Sequence, residues 1–145
     1  FIIRKIQNIV KNSSNLEILI DLDYPFGAKR PALDTNYYQT FKINGNSILI
    51  IALYSKKNIQ DIVPKIESCF DHIICTETKG RSPMCAKNLY NHFNPNHSVE
   101  IISNPSLAIK KGLDMINSNG GMAILGTHCL GPYINEIFKI SFDIL

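Results

Sequence analysis

At 145 residues the chain has the length of one ordinary domain, and with 45% hydrophobic and 19% charged residues it can bury a core without disulfide or metal support. That balance excludes a disordered polypeptide, and no apolar run reaches the roughly 18 residues that a membrane-spanning helix needs. Fifteen Lys and Arg against twelve Asp and Glu leave a net charge of +3, and the basic residues are scattered rather than laid in a stripe, which argues against a nucleic-acid partner and leaves small anionic ligands open.

The chain opens at Phe1 rather than Met and runs straight into apolar sequence, as expected of a piece of a longer polypeptide. Ile3, Ile6 and Val10 follow helical spacing, yet Ile2, Ile6 and Ile9 with polar residues between them suit a strand, and the strand reading is preferred, as one arm of an edge hairpin. The tight turn Asn12-Ser13-Ser14-Asn15 follows. Five apolar segments then recur, Glu17 to Leu22, Ser47 to Leu53, His72 to Thr76, Val99 to Ile102 and Met122 to Leu125. Helical patterns separate them, as in repeated βα units that build a largely parallel sheet.

Between these segments, Ala32 to Phe41 reads as a short helix and Asn44-Gly45-Asn46 as a tight turn. Ile59, Ile62, Val63 and Ile66 share one helical face, and Pro64 requires that this helix begin late or kink. Ser82-Pro83 predicts a helix start by Ser N-cap and Pro at the first helical position, with Cys85, Ala86, Leu89 and Phe93 facing inward. Asn104-Pro105 repeats the device ahead of Leu107, Ala108, Leu113 and Ile116. After Met122 to Leu125 come a Gly-broken loop and an amphipathic tail. The expected architecture is a three-layer α/β/α, Rossmann-like domain with a mostly parallel sheet and an antiparallel edge hairpin.

Ligands of open α/β sheets bind beyond the carboxyl ends of the strands, so the residues there are the candidates for chemistry. Gly126 to Pro132 is the strongest pointer, with Thr127 supplying a hydroxyl and His128 an imidazole. Asp21 interrupts an apolar run at a strand end, where a carboxylate can reach a hydroxyl, a metal or an amine, or simply cap a loop. Lys57, in Ser55-Lys56-Lys57-Asn58, sits at a helix start, a place unfavourable to a cation unless a ligand faces it. Arg81, in the loop Thr76 to Pro83, lies just before a helix N-terminus and could join backbone N–H groups in holding a carboxylate or phosphate. His128 and Cys129 are sequence neighbours that would point apart, with no orienting acid, and do not make a nucleophile–base pair. The four cysteines, Cys69, Cys75, Cys85 and Cys129, have no metal-ligand or CxxC spacing, and reduced, mostly buried thiols of a cytoplasmic protein are expected. Neither a Gly-x-x-x-x-Gly-Lys-Ser/Thr loop nor a Gly-x-Gly-x-x-Gly is present.

In order along the chain, Arg4-Lys5-Ile6-Gln7, Asp21, Lys57, Arg81 and Gly126-Thr127-His128 resemble the C-terminal domain of the Mur-ligase family, nearest to its folylpolyglutamate synthase/dihydrofolate synthase branch. Arg4 matches the Arg of that domain's Gly-Arg-Met-Gln opening. Asp21 matches the first residue of an Asp-Gly-Ala-His-Asn-Pro motif, but Tyr24 and Pro25 stand where the motif has His and Asn, which removes a neutral-pH proton carrier. The resemblance covers nearly the whole of residues 1–145. It implies an ATP-dependent ligase in which a carboxylate is phosphorylated and the amine of glutamate attacks the acyl phosphate. Asp21 would be catalytic, and Arg4, Lys57, Arg81, Thr127 and His128 would bind the glutamate or the nucleotide. ATP and Mg would be held mainly by a P-loop ATPase domain that precedes this one in the same chain, with a folate or pteroate as acceptor. The full protein is expected to be a cytoplasmic monomer, and this domain alone inactive. The alternatives are a degenerate, non-catalytic Mur-ligase-like binding module and an unrelated doubly wound domain that shares only the fold pattern.

Overall fold

The computed structural model describes residues 3–7, 17–21, 45–56, 58–80, 82–117 and 119–139. Six strands form one sheet: β1 (Ile3–Gln7), β2 (Glu17–Asp21), β3 (Ser47–Ala52), β4 (His72–Cys75), β5 (Val99–Ile101) and β6 (Gly121–Gly126). Their spatial order is β1-β2-β6-β3-β4-β5. All neighbouring pairs are parallel except β1 with β2, which run antiparallel at one edge with Ile3 opposite Asp21 and Gln7 opposite Glu17. The segment joining β1 to β2, the turn at 12–15 and the helix expected at 32–41 lie outside the described residues.

The two inner strands explain the apolar runs. β3 and β6 are buried at every position, so both faces of each must be apolar, which gives continuous rather than alternating hydrophobicity. Alternate residues go to opposite layers. Leu49, Ile51 and Leu53 pack with Ile73, Cys75, Ala123 and Leu125 under α1 (Val63–Cys69) and α2 (Ala86–Tyr90). Ile48, Ile50 and Ala52 pack with Ile74, Met122 and Ile124 under α3 (Pro105–Met115) and α4 (Gly131–Phe138). The three-layer α/β/α arrangement follows directly from that period of two.

Pro64 is accommodated by a late start: α1 begins at Val63, while Ile59 is buried ahead of it in a turn closed by Val63 N–H donating to the Ile59 carbonyl at 3.0 Å. Asn104 caps α3 as expected, its Oδ1 accepting the Leu107 N–H at 3.1 Å, with Pro105 in the first turn. The inward face of α3 is Ala108, Ile109 and Gly112, however, and Leu107 is 57% exposed, because the helix is rotated to set Gly112 against Met122 and Ile50. The Ser82-Pro83 start is also displaced. Pro83 forms an antiparallel bridge to Tyr54 and Met84 N–H donates to the Leu53 carbonyl at 2.8 Å, which keeps this stretch extended. The helix begins instead at Ala86, with an exposed Cys85 as its N-cap.

At the amino end of the sheet, Asn46 ties β3 to the loop after α3. Its Nδ2 donates to the Met115 carbonyl at 2.6 Å, and its Oδ1 accepts the Asn117 N–H at 2.9 Å. The short edge strand β5 is held by His72 of β4, whose Nδ1 lies 2.5 Å from Ser98 Oγ and whose Nε2 lies 2.6 Å from Glu100 Oε1. The ring thus clamps two residues of the neighbouring strand at once. Burial pushes the Cys75 thiol, at the end of β4, up from 9.0 to about 12, since desolvation disfavours the thiolate.

Two outcomes follow for stability. His72→Ala should cost about 1–3 kcal/mol, the range for unmaking a part-buried hydrogen-bonded group. Amide exchange should quicken in β5 while β3 and β6 stay protected. The raised Cys75 pKa means the folded state holds its proton more tightly than the unfolded chain does. Its contribution is therefore complete below about pH 9 and is lost as the pH rises towards about 12. Urea titrations across that alkaline window should show a shallower decline for Cys75→Ala than for the unaltered chain.

Candidate functional site

The helix following β3 covers one face of the sheet and the helix following β6 covers the other, yet β3 and β6 are neighbours. Their chains therefore diverge above and below the sheet, and the region beyond their carboxyl ends is a topological switch point, where a crevice is the usual ligand position in such folds. Gly126 makes the parting possible. Its φ is +127°, and a Cβ there would come within 1.8 Å of the Ala52 carbonyl oxygen, so only glycine fits. Ala52 then accepts the Thr127 N–H at 3.1 Å, the last link between the two strands.

Beyond that link, Thr127 is 3% exposed and caps a short 3₁₀ turn (His128–Leu130), its Oγ1 accepting the Cys129 N–H at 3.2 Å. The turn leads directly into α4. Cys129 Sγ lies 3.6 Å from the Tyr54 hydroxyl, which reaches over from the β3 side. The β4 loop closes against the same sulfur: a Cβ on Gly80 would sit 2.5 Å from Cys129 Sγ and 3.6 Å from Thr78 Oγ1. Three loops, after β3, β4 and β6, thus meet at one thiol. Thr78 and Gly80 belong to the loop Thr76 to Pro83 and Cys129 to Gly126 to Pro132, both singled out by sequence but for other residues, whereas Tyr54 carried no motif signal and only the placement of its loop at a strand end could have pointed to it.

Of the expected site residues, Thr127 and His128 lie in this crevice region, Thr127 buried and His128 exposed. Asp21 ends β2 in register with Leu125 of β6, and Arg4 of β1 pairs with Ile20, so the backbone of both stands at the same end of the sheet. Lys57 and Arg81 lie outside the described residues. The Ala86 N–H donates to Glu77 Oε2 at 2.6 Å and the Asn88 N–H to Cys85 Sγ at 3.4 Å, so this helix start is capped from within the protein. Beside α2 runs a separate open groove of about 460 Å³, lined by residues that include Ser55, Met84, Asn88 and His92.

Among the described residues no three His, Cys, Asp or Glu side chains come together as a metal cluster. No helix of the described residues is long and apolar enough to cross a membrane.

No family model matches this chain. It is 27% identical over 88 residues to the dihydrofolate synthase/folylpolyglutamate synthase of Buchnera aphidicola subsp. Baizongia pistaciae, a match that takes in 61% of this chain and 20% of that protein. A shorter match, 37% identical over 65 residues, is to the 2-oxo-Delta(3)-4,5,5-trimethylcyclopentenylacetyl-CoA monooxygenase of Pseudomonas putida and takes in 45% of this chain and 11% of that protein. In structure, the chain superposes on E. coli FolC in complex with ADP with a TM-score of 0.68 and 16% identity, over 90% of this chain and 30% of that one. It superposes on the bifunctional folylpolyglutamate synthase/dihydrofolate synthase with Mn, AMPPNP and L-glutamate bound with a TM-score of 0.61 and 13% identity, over 83% of this chain and 29% of that one.

The site's framework yields a test. Gly80→Ala should lower the melting temperature by forcing Cys129 aside, and Gly80→Ala combined with Cys129→Ala should recover most of that loss, a coupling of about 0.5–3 kcal/mol by a double-mutant cycle. The chain spans about a fifth of the curated synthase and under a third of the solved synthase chains, and within those limits it has their α/β fold and resembles the C-terminal domain of folylpolyglutamate synthase/dihydrofolate synthase.

Proposed function

We propose that this chain is the C-terminal, glutamate- and nucleotide-side domain of an ATP-dependent folate:glutamate ligase that works through an acyl phosphate. The observation that carries the reading is the topological switch point between β3 and β6. It gathers Thr127 and His128 beyond the strand ends, with the backbone of Arg4 and Asp21 at the same end of the sheet. The sequence likeness to a dihydrofolate synthase/folylpolyglutamate synthase and the fold shared with nucleotide- and glutamate-bound synthases support it.

In this reading ATP phosphorylates the acceptor carboxylate, the amine of glutamate attacks the acyl carbon, and inorganic phosphate leaves as the amide forms. ATP and Mg supply the activation, held mainly by a preceding ATPase domain. The domain's own part is to bind and orient. Asp21 would take a proton from, or hold, the incoming amine. Arg4, Lys57 and Arg81 would meet carboxylate or phosphate charge, and Thr127 and His128 would line the crevice. Closure of the two domains would exclude water and align the amine, work that one domain cannot do alone. The reading places the protein in the cytoplasm as a monomer.

A second reading, a degenerate module kept for binding or domain contact, is favoured by one observation: Tyr24 and Pro25 replace the His and Asn of the family motif. Activity separates the two. The full-length polypeptide should add glutamate to dihydropteroate or to tetrahydrofolate in the presence of ATP, with the product identified by mass, and Asp21→Ala should reduce turnover by about 10²-fold or more. A folded, ATP-binding preparation that forms no glutamyl product would favour the module.

A further inference from the structure

The Tyr54 hydroxyl stands at the crevice in an unusual pairing. Its backbone is fixed on both sides, by the bridge to Pro83, by Ser55 N–H donating to the Ser82 carbonyl at 2.9 Å, and by Met84 N–H donating to the Leu53 carbonyl at 2.8 Å. The side chain is half-buried, and among the described residues its hydroxyl meets a thiol, Cys129 Sγ at 3.6 Å. A thiol is a weak acceptor and a weak donor, so a phenol resting on it holds most of its hydrogen-bonding capacity in reserve.

A second hydroxyl is hinged on the same residue. Thr127 Oγ1 accepts the Cys129 N–H, and its own proton has no acceptor among the described residues, although the residue is 3% exposed. The nearby acid of the β4 loop, Glu77, is turned to the Ala86 N–H and does not compete. Two hydroxyls bear on Cys129, one on its sulfur and one on its backbone N–H, at a switch point of the kind where ligands bind, and among the described residues neither has an acceptor stronger than sulfur. Anionic oxygen meets that need, since hydrogen bonds to charged acceptors are roughly twice as strong as neutral ones.

We infer that Tyr54 is a positioning residue whose hydroxyl is parked on the Cys129 thiol and transfers to an anionic oxygen of the ligand, a carboxylate or a phosphate, that enters between the carboxyl ends of β3 and β6. The exchange makes and breaks hydrogen bonds only, and Cys129 serves as a resting place that costs little to leave. For the identity of the ligand, the inference rests on the ligase reading above.

The test uses the full-length polypeptide with Tyr54→Phe and Cys129→Ala, measuring KM for L-glutamate and for ATP separately. Tyr54→Phe should raise one KM about tenfold, the loss of one hydrogen bond to a charged group, while the other KM does not follow. A rise for glutamate assigns the carboxylate, and a rise for ATP assigns the phosphate. Cys129→Ala removes the resting contact and should lower that same KM severalfold, an opposite sign that a merely structural role would not produce. Loss of both KM values together in both variants, or no change in either with Tyr54→Phe, overturns the inference. Should the parent add no glutamate, the ligase reading fails and the inference is decided by binding alone. Protein labelled with carbon-13 at the tyrosine ζ carbon is titrated with L-glutamate and with pyrophosphate, and a saturable shift of the Tyr54 signal with either supports the exchange. No shift with either overturns it.

Discussion

The hydrogen bond from Thr127 N–H to the Ala52 carbonyl marks the place where two doubly buried strands separate, and the rest of the molecule is arranged around it. Below it, β3 and β6 run in parallel register from Ser47 opposite Gly121 to Ala52 opposite Gly126, each residue packed on one face or the other. Above it the chains turn to opposite faces. The close approach is set by Gly126, whose missing side chain is the space occupied by the Ala52 carbonyl. A substituent there would push the strands apart where their registers must still match, and the two cores on either side of the sheet would both be disturbed.

From that point the site is assembled by loops that hold one another. The β3 loop is pinned to the segment before α2 by the Tyr54–Pro83 bridge and two flanking backbone hydrogen bonds. The β4 loop is anchored by the buried Thr76, whose hydroxyl donates to the Ser103 carbonyl at 3.0 Å, and by Glu77 on the start of α2. The β6 loop is set by the Thr127 cap. The first two anchors lie away from Thr127 and His128, and the three loops then converge on Cys129. This is the order in which a rigid scaffold supports a polar site: the regular elements fix the loop ends, and short-range caps fix the loops.

The sheet could be read from the sequence because burial on two faces leaves an unmistakable record. Ile48 to Ala52 and Gly121 to Gly126 carry no polar side chain, and strands of that kind sit in the middle of parallel sheets. The Asn104-Pro105 start was equally legible, because cap and first turn are local chemistry. Ser82-Pro83 carries the same local signal but does not begin a helix, since Pro83 is held in a bridge to Tyr54 and the Met84 N–H by the Leu53 carbonyl, about thirty residues away in sequence. Leu107 misled for a related reason: helical spacing gives a face but not its rotation, which Gly112 determines by its contact with Met122. The crevice was legible as a loop, Gly126 to Pro132, while its opposite wall was not. Tyr54 and Gly80 belong to it only because strand order brings β3 and β4 beside β6, and strand order is a property of the whole sheet.

The chemistry available at that crevice is of one kind. Two hydroxyls, an exposed imidazole and a thiol can donate to, orient and release a small anion, whereas under the proposed function activation of the carboxylate belongs to the preceding ATPase domain. Under the proposed function this division has a physical basis. The activating half must bind a highly charged nucleotide tightly, while the half that brings the nucleophile must let its ligand turn over, which favours weak, exchangeable contacts on the second surface. A hydroxyl held on sulfur rather than on a carboxylate or carbonyl is such a contact. It keeps the donor aimed across the gap between β3 and β6 without committing it, so that little is lost when the ligand's oxygen takes the place of the thiol.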